Sequence, residues 1–237
     1  MNLDVLILAA HPDDAELSMG GTIAKLVKNN KKVGIIDMTR GEMGTRGSIE
    51  TRAEEAAEAS KILGLTYREN LDMIDGNVKF TQENLKKVVS AIRKHRPQIV
   101  FGPYNNDRHP DHIGAHQLVK EAMFFSGAAK FETISENAVQ QNFRPERVFY
   151  YMQTYEFEPS FIIDISDTFD LKMKAVRAYS TQFFNPESSE PETFISSPRF
   201  IRYVEARAAV FGFQIGKDYG EPFYSEEKIE LKLTSLF

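Results

Sequence analysis

Cysteine is absent from the 237 residues, and so is tryptophan. Without thiols the chain has no disulfides and no thiolate ligands, so a bound transition metal must be held by nitrogen and oxygen. No apolar run approaches the roughly 20 residues that a membrane-spanning helix requires. Basic residues form no sustained run and the net charge is −5, which argues against a nucleic-acid surface. Met1-Asn2-Leu3-Asp4 enters an apolar run at once, and Asp4 spoils the charge pattern of a signal peptide; a cytoplasmic location is expected. With 42% hydrophobic and 27% charged residues, the chain suits one large domain spanning 1–237.

Strand-like and helix-like segments alternate. Leu3 to Ala10 reads as a buried parallel strand, and Val33 to Met38 as a second. Between them Gly20-Gly21 leads into a helix from about Thr22 to Asn30. The glycine-containing stretch 39–48 reads as a loop, followed by a charged helix from about Ile49 to Leu63 that stops at Gly64. A short strand over Thr66 to Leu71, a helix capped by Thr81 and ended by Pro97, a buried strand over Gln98 to Phe101 and a helix from His109 to about Phe125 complete the regular part. Beyond Ala128 strands are expected at 147–152 and 160–165 and helices at 168–180 and 198–211. The Pro- and Ser-containing segment 183–197 reads as a loop able to cover a site. The pattern predicts an α/β, Rossmann-like fold, a mostly parallel sheet flanked by helices on both faces.

Two short words stand out against this frame, His11-Pro12-Asp13-Asp14 and His109-Pro110-Asp111-His112. Each follows a buried strand, and in an open parallel sheet ligands bind outside the carboxyl ends of strands. His11 and Asp14 are three apart on the first turn, while neighbouring Asp13 and Asp14 should point differently, so one can ligate while the other faces a bound water. His109 reads as an N-cap with His112 at N3, which brings two imidazoles to one pocket: one to ligate, the other to stabilise an oxyanion. Asp111 is placed to orient His109. Three protein ligands, an open position and a base make the outline of a metal-assisted hydrolase.

Plainer readings exist. Asp-rich turns are commonly caps, and a lone His-Pro pair means little; two such words at two strand exits weigh against coincidence. His95 and His116 read as structural or surface residues, and Glu16 as a helix-start residue. Phe183-Phe184 and Phe211 read as core or subunit contact. A nucleotide-binding unit lacks its G-x-G-x-x-G fingerprint at the first turn, and a metal-storage protein has no need of the extra carboxylate of Asp13.

Ala10-His11-Pro12-Asp13-Asp14-Ala15-Glu16, Thr51-Arg52-Ala53-Glu54-Glu55 and Asp107-Arg108-His109-Pro110-Asp111-His112 resemble the zinc-dependent N-deacetylases of the LmbE/PIG-L type. The loop Thr39-Arg40-Gly41-Glu42-Met43-Gly44-Thr45-Arg46-Gly47 resembles that of the bacillithiol-biosynthesis deacetylases, which remove acetate from N-acetylglucosaminyl malate (GlcNAc-malate). The resemblance implies His11, Asp14 and His112 as ligands of Zn2+, with Fe2+ and other divalent ions as alternatives. It implies Asp13 as general base, His109 as the imidazole that stabilises the oxyanion and protonates the leaving amine, and Asp111 as its partner. Arg52 matches a pocket arginine near the sugar, and Phe200 stands where some relatives have a tyrosine. A malyl group would call for arginines at the rim, with Arg46, Arg108 and Arg40 as candidates. Other small GlcNAc conjugates or chitooligosaccharides are the alternative substrates. The resemblance also implies a homo-oligomer, often a hexamer.

Overall fold

The computed structural model describes residues 1–230. Its elements run β1 (Val5–Ala9), α1 (Asp14–Lys28), β2 (Val33–Thr39), α2 (Ile49–Leu63), β3 (Tyr67–Met73), α3 (Gln82–His95), β4 (Ile99–Pro103), α4 (Pro110–Phe125), the small strands β5 (Ile134–Ser135) and β6 (Ala138–Val139), β7 (Arg147–Tyr151), β8 (Phe161–Asp164), α5 (Phe169–Ala178), α6 (Pro198–Gln214) and β9 (Gly220–Tyr224). The main sheet has the order β3-β2-β1-β4-β7-β9-β8. Its first five strands are parallel; β9 pairs antiparallel with both β7 and β8.

Every residue of β1 is buried, because helices cover both faces of the sheet. The period of two divides the strand: Val5, Ile7 and Ala9 join a core with α1, α2 and α5, whereas Leu6 and Leu8 join one with α3 and α4. The expected fold class is therefore the observed one. No helix of the described residues is long and apolar enough to cross a membrane.

Two expectations fail in informative ways. The first helix begins at Asp14, eight residues before the expected start, and is kinked at Met19 (φ −143°). Gly20-Gly21 lies inside this helix and forms a contact face: a Cβ on Gly21 would lie 2.7 Å from Ile165. β9, with Glu221 and Pro222 in its centre, has no strand-like alternation and falls outside the expected strands. Glu221 is buried there and accepts from the backbone N–H of Gly21 (3.0 Å) and Thr22 (2.7 Å), just beyond the kink, and from Lys172 Nζ (2.6 Å).

Candidate active site

The carboxyl ends of β1, β2, β4 and β7 open onto a cavity of about 480 Å³, within the range of small-molecule sites. His11, Asp13, Asp14, Arg52, His109 and His112 line its floor; Phe194, Ile195, Phe200 and Tyr203 form an apolar wall. β1 delivers the first word directly. Asp13 adopts φ 116°, a left-handed conformation uncommon outside glycine, and its side chain caps nothing. It faces the cavity instead, 3.5 Å from Arg52 Nη1, which also donates to the carbonyl of Pro12 (3.0 Å).

The hydrogen bonds sort the imidazole nitrogens. His11 Nε2 stands 3.0 Å from Asp75 Oδ1 and 3.3 Å from Asp111 Oδ2, so its proton belongs on Nε2, leaving Nδ1 to face Asp14 Oδ2 at 3.5 Å. His112 donates through Nδ1 to Asp107 Oδ1 (2.8 Å), leaving Nε2 to face Asp14 Oδ1 at 3.3 Å. His109 Nδ1 accepts from the backbone N–H of Asp111 (3.2 Å), so the neutral ring carries its proton on Nε2. Its centroid lies 4.7 Å from that of His11 and 4.9 Å from that of His112.

These lone pairs suit a cation. The Asp14 carboxylate stands between the two rings, its Oδ2 facing His11 Nδ1 at 3.5 Å and its Oδ1 facing His112 Nε2 at 3.3 Å. Ligand atoms of His11, His109 and His112 also lie within 4.8 Å of one another, as do those of His11, Asp75 and Asp111. The second trio is the weaker host. Its His11 nitrogen bears the proton, and its carboxylates are occupied by Met43 N (2.8 Å), Gly76 N (2.7 Å to Asp111) and Val78 N (3.0 Å).

Charge is distributed unevenly over this floor. Burial opposes protonation of His112, yet Asp14 and Asp107 outweigh it and raise its pKa to about 9. His11 is likewise raised well above its usual value against its own burial, through Asp111, Asp14 and Asp75. Burial raises Asp13 to about 7, with Arg52 pulling down and Asp14 pushing up. His109 is lowered by burial and by the neighbouring His11 and His112.

Several sequence expectations need correcting. The Asp111 carboxylate does not hold the His109 ring; it accepts from Gly76 N and Val78 N and stands against His11, and the backbone of Asp111 serves His109 instead. Arg46 does not line the cavity: its side chain donates to Ser188 Oγ and lies 3.5 Å from Glu190 Oε2, tying the 41–48 loop to the 183–197 segment. Arg40 is exposed and paired with Asp72 (2.6 Å). Arg108 does reach the cavity, stacked over the Phe194 ring at 4.3 Å. Phe200 lines it too, and Tyr203, one turn on, brings a phenol to the same wall. His95 and His116 are buried structural residues bonded to the carbonyls of Met1 (3.3 Å) and Pro103 (3.0 Å), and Phe183 and Phe211 are core. Phe184 is exposed.

Sequence reasoning missed Asp75, Asp107, Gln153 and Arg207. Asp107 is the hub of the second word, accepting from His112, from His109 N (3.0 Å) and from Thr154 N (2.7 Å). It stood in the quoted run, but a side chain that turns back on its own loop leaves no periodic signal. Glu16 is more than a helix-start residue: it is fully buried and accepts from Arg68 (2.6 Å) and Tyr179 (3.0 Å).

Residues 6–123 match the family model described as PIG-L: GlcNAc-PI de-N-acetylase. A diacetylchitobiose deacetylase of Thermococcus kodakarensis is 35% identical over 76% of this chain and 70% of its own length. The chain belongs to the PIG-L family of deacetylases. A probable N-acetyl-alpha-D-glucosaminyl L-malate deacetylase 2 of Bacillus anthracis is 28% identical over 76% of this chain and 81% of its own. Among solved structures, a conserved protein from Thermus thermophilus superposes with a TM-score of 0.87 at 39% identity, covering 98% of both chains. The half of this chain that matches the family model contains both His-Pro-Asp words and Arg52. Gln153, Phe200, Tyr203 and Arg207, which complete the cavity wall, come from beyond it.

Proposed function

We propose that this PIG-L deacetylase is a zinc-dependent amide hydrolase that removes acetate from the N-acetylglucosamine of a small conjugate. The observation that carries the reading is the convergence of His11 Nδ1, Asp14 and His112 Nε2, with a spare carboxylate and a spare imidazole beside them. His11, Asp14 and His112 would hold the ion, each imidazole oriented by a carboxylate at its other nitrogen. When bound, a zinc ion there supplies Lewis acidity, lowering the pKa of water and polarising the acetyl carbonyl.

The protein groups then have distinct tasks. Asp13, placed by its left-handed backbone and held by Arg52, takes the proton of the attacking water and delivers it to the amine as the C–N bond breaks. His109 donates a hydrogen bond from Nε2–H to the oxyanion. Its lowered pKa and its engaged Nδ1 suit a neutral donor better than an acid that gives up a proton. Asp111 acts through His11 rather than through His109.

For the conjugate, GlcNAc-malate of bacillithiol biosynthesis is the first candidate, supported by the Bacillus anthracis relative and by Arg108 at the cavity. The withdrawal of Arg46 and Arg40 from the cavity favours a second reading, an N-acetylated chitooligosaccharide. Its second ring would stack on the wall of Phe194 and Phe200, and the Thermococcus kodakarensis relative supports it. The decisive experiment is acetate release from GlcNAc-malate, diacetylchitobiose and free GlcNAc by zinc-loaded protein beside Asp13→Asn. The variant should keep its metal and lose about 10²–10⁴-fold in kcat. Preference for one conjugate selects the aglycone; full activity in Asp13→Asn removes the base assignment.

A further inference from the structure

Arg207 lies on α6 with its side chain in the cavity wall, 9% exposed. A buried guanidinium is unfavourable unless it is paired and hydrogen-bonded. The other enclosed arginines have a carboxylate beside them or several hydrogen-bond acceptors, although Nε of Arg46 and of Arg52 is buried without a partner. Arg52 has Asp13; Arg46 has Glu190; Arg68 is bidentate to Asp37 and reaches Glu16; and Arg93 is surrounded by four backbone carbonyls and the Thr133 hydroxyl. Arg207 forms no ion pair among the described residues. Its hydrogen bond there is from Nη1 to the carbonyl of Gln153, and the Tyr203 ring lies 5.4 Å from the guanidinium carbon.

Gln153 is left incomplete in a complementary way. Its Nε2 stands 3.2 Å from His112 Nε2, while its Oε1 is buried without a partner. A donor fork with spare N–H groups and an unused acceptor therefore share one wall, a single residue away from the imidazole cluster. Arg guanidinium matches a carboxylate in plane and spacing, and a desolvated pair of this kind is stronger than one in water.

We propose that Arg207 is the carboxylate-recognising residue of this cavity, with Gln153 Oε1 accepting a neighbouring N–H or O–H of the same ligand. The inference rests on the deacetylase reading for where the carboxylate comes from. It is either the acetate that the reaction releases or a carboxylate on the conjugate.

The test is titration of the zinc-loaded protein with sodium acetate and separately with L-malate, in wild type, Arg207→Met and Arg207→Lys. It is read beside kcat/KM on GlcNAc-malate and on diacetylchitobiose. Losing a charge-assisted pair should weaken binding of the recognised carboxylate at least about tenfold in Arg207→Met, with partial recovery in Arg207→Lys. If product acetate is the ligand, acetate binding and product inhibition weaken together, and both substrates lose kcat/KM equally. If the conjugate supplies the carboxylate, L-malate binding weakens, and kcat/KM on GlcNAc-malate falls about tenfold more than on diacetylchitobiose. The proposal is overturned if both carboxylates bind each folded variant within about twofold of wild type. It is equally overturned if neither binds the wild type. Should Arg207→Met fail to fold, Arg207→Lys decides on the same readings, since Lys keeps the charge and lacks the planar fork. The titrations need no turnover. Loss of binding in a protein that hydrolyses none of the sugars would remove the proposed GlcNAc-conjugate substrate and leave this inference standing.

Discussion

At the scale of single residues, the site is governed by which ring nitrogen carries a proton. His11 and His112 each give one nitrogen to a carboxylate and turn the other toward Asp14. In the metal-free protein Asp14 and Asp107 raise His112 to about 9, so its ring is imidazolium at pH 7, and Asp111, Asp14 and Asp75 raise His11 as well. A metal ion must expel the proton of His112 to reach its lone pair. Calorimetry of zinc binding at pH 7, in buffers of different ionisation enthalpy, should show at least about one proton released per ion, the one that His112 holds. The affinity should weaken about tenfold when the pH falls from about 8 to about 7. A release well under one proton would mean that the rings are neutral before the ion arrives. The sign for folding is consistent: the raised pKa of His112 stabilises the metal-free fold fully below pH 6.5, and that contribution is lost as the pH rises through about 9.

At the scale of elements, α4 is placed by a glycine that its own hydrophobic pattern does not need. A Cβ on Gly114 would fall 1.7 Å from the carbonyl oxygen of Val78. That close approach lets the backbone of Gly76 and Val78 donate to Asp111, which in turn stands against His11 Nε2. Gly114→Ala gains helix propensity but must push the 76–78 segment away. We expect it to lower stability by about 1–3 kcal/mol and to weaken metal affinity about 10–100-fold, measured by denaturant unfolding and competitive chelation. A variant as stable as wild type with unchanged affinity would show that the 76–78 contact does not orient His11.

Over the whole molecule, residues far apart in the chain close the structure around α1. Glu221 on β9 caps two backbone N–H groups beyond the kink at Met19 and neutralises Lys172 of α5. Both side chains are nearly inaccessible to solvent, so removing one strands a buried charge. Glu221→Ala should lose about 3–5 kcal/mol of stability in chemical unfolding, and adding Lys172→Met should recover much of it. A cost below about 1 kcal/mol for the single variant would show that water reaches the pair.

The sequence by itself determined the alternating α/β order, the burial of β1 on both faces and the two His-Pro-Asp words at strand exits, because each is written in local period or local composition. The helix Ile49–Leu63 lies where its caps, Ser48 and Gly64, put it. Tertiary structure decided the rest. Strand β9 exists because Glu221 finds Lys172 and the kinked helix, 49 and about 200 residues away, so no local alternation announces it. Arg46 left its expected place at the rim, and Arg207, for which nothing was expected, entered the cavity wall, for the same reason: an arginine's role follows from what surrounds its guanidinium after folding. One was consumed by Ser188 and Glu190, the other left without a carboxylate in the wall of the cavity. Asp111 and Asp107 took their partners through loop geometry, where a one-residue turn redirects a carboxylate from one imidazole to another. Residue type and spacing assembled the chemical components; the distances of one chain segment from another assigned their tasks.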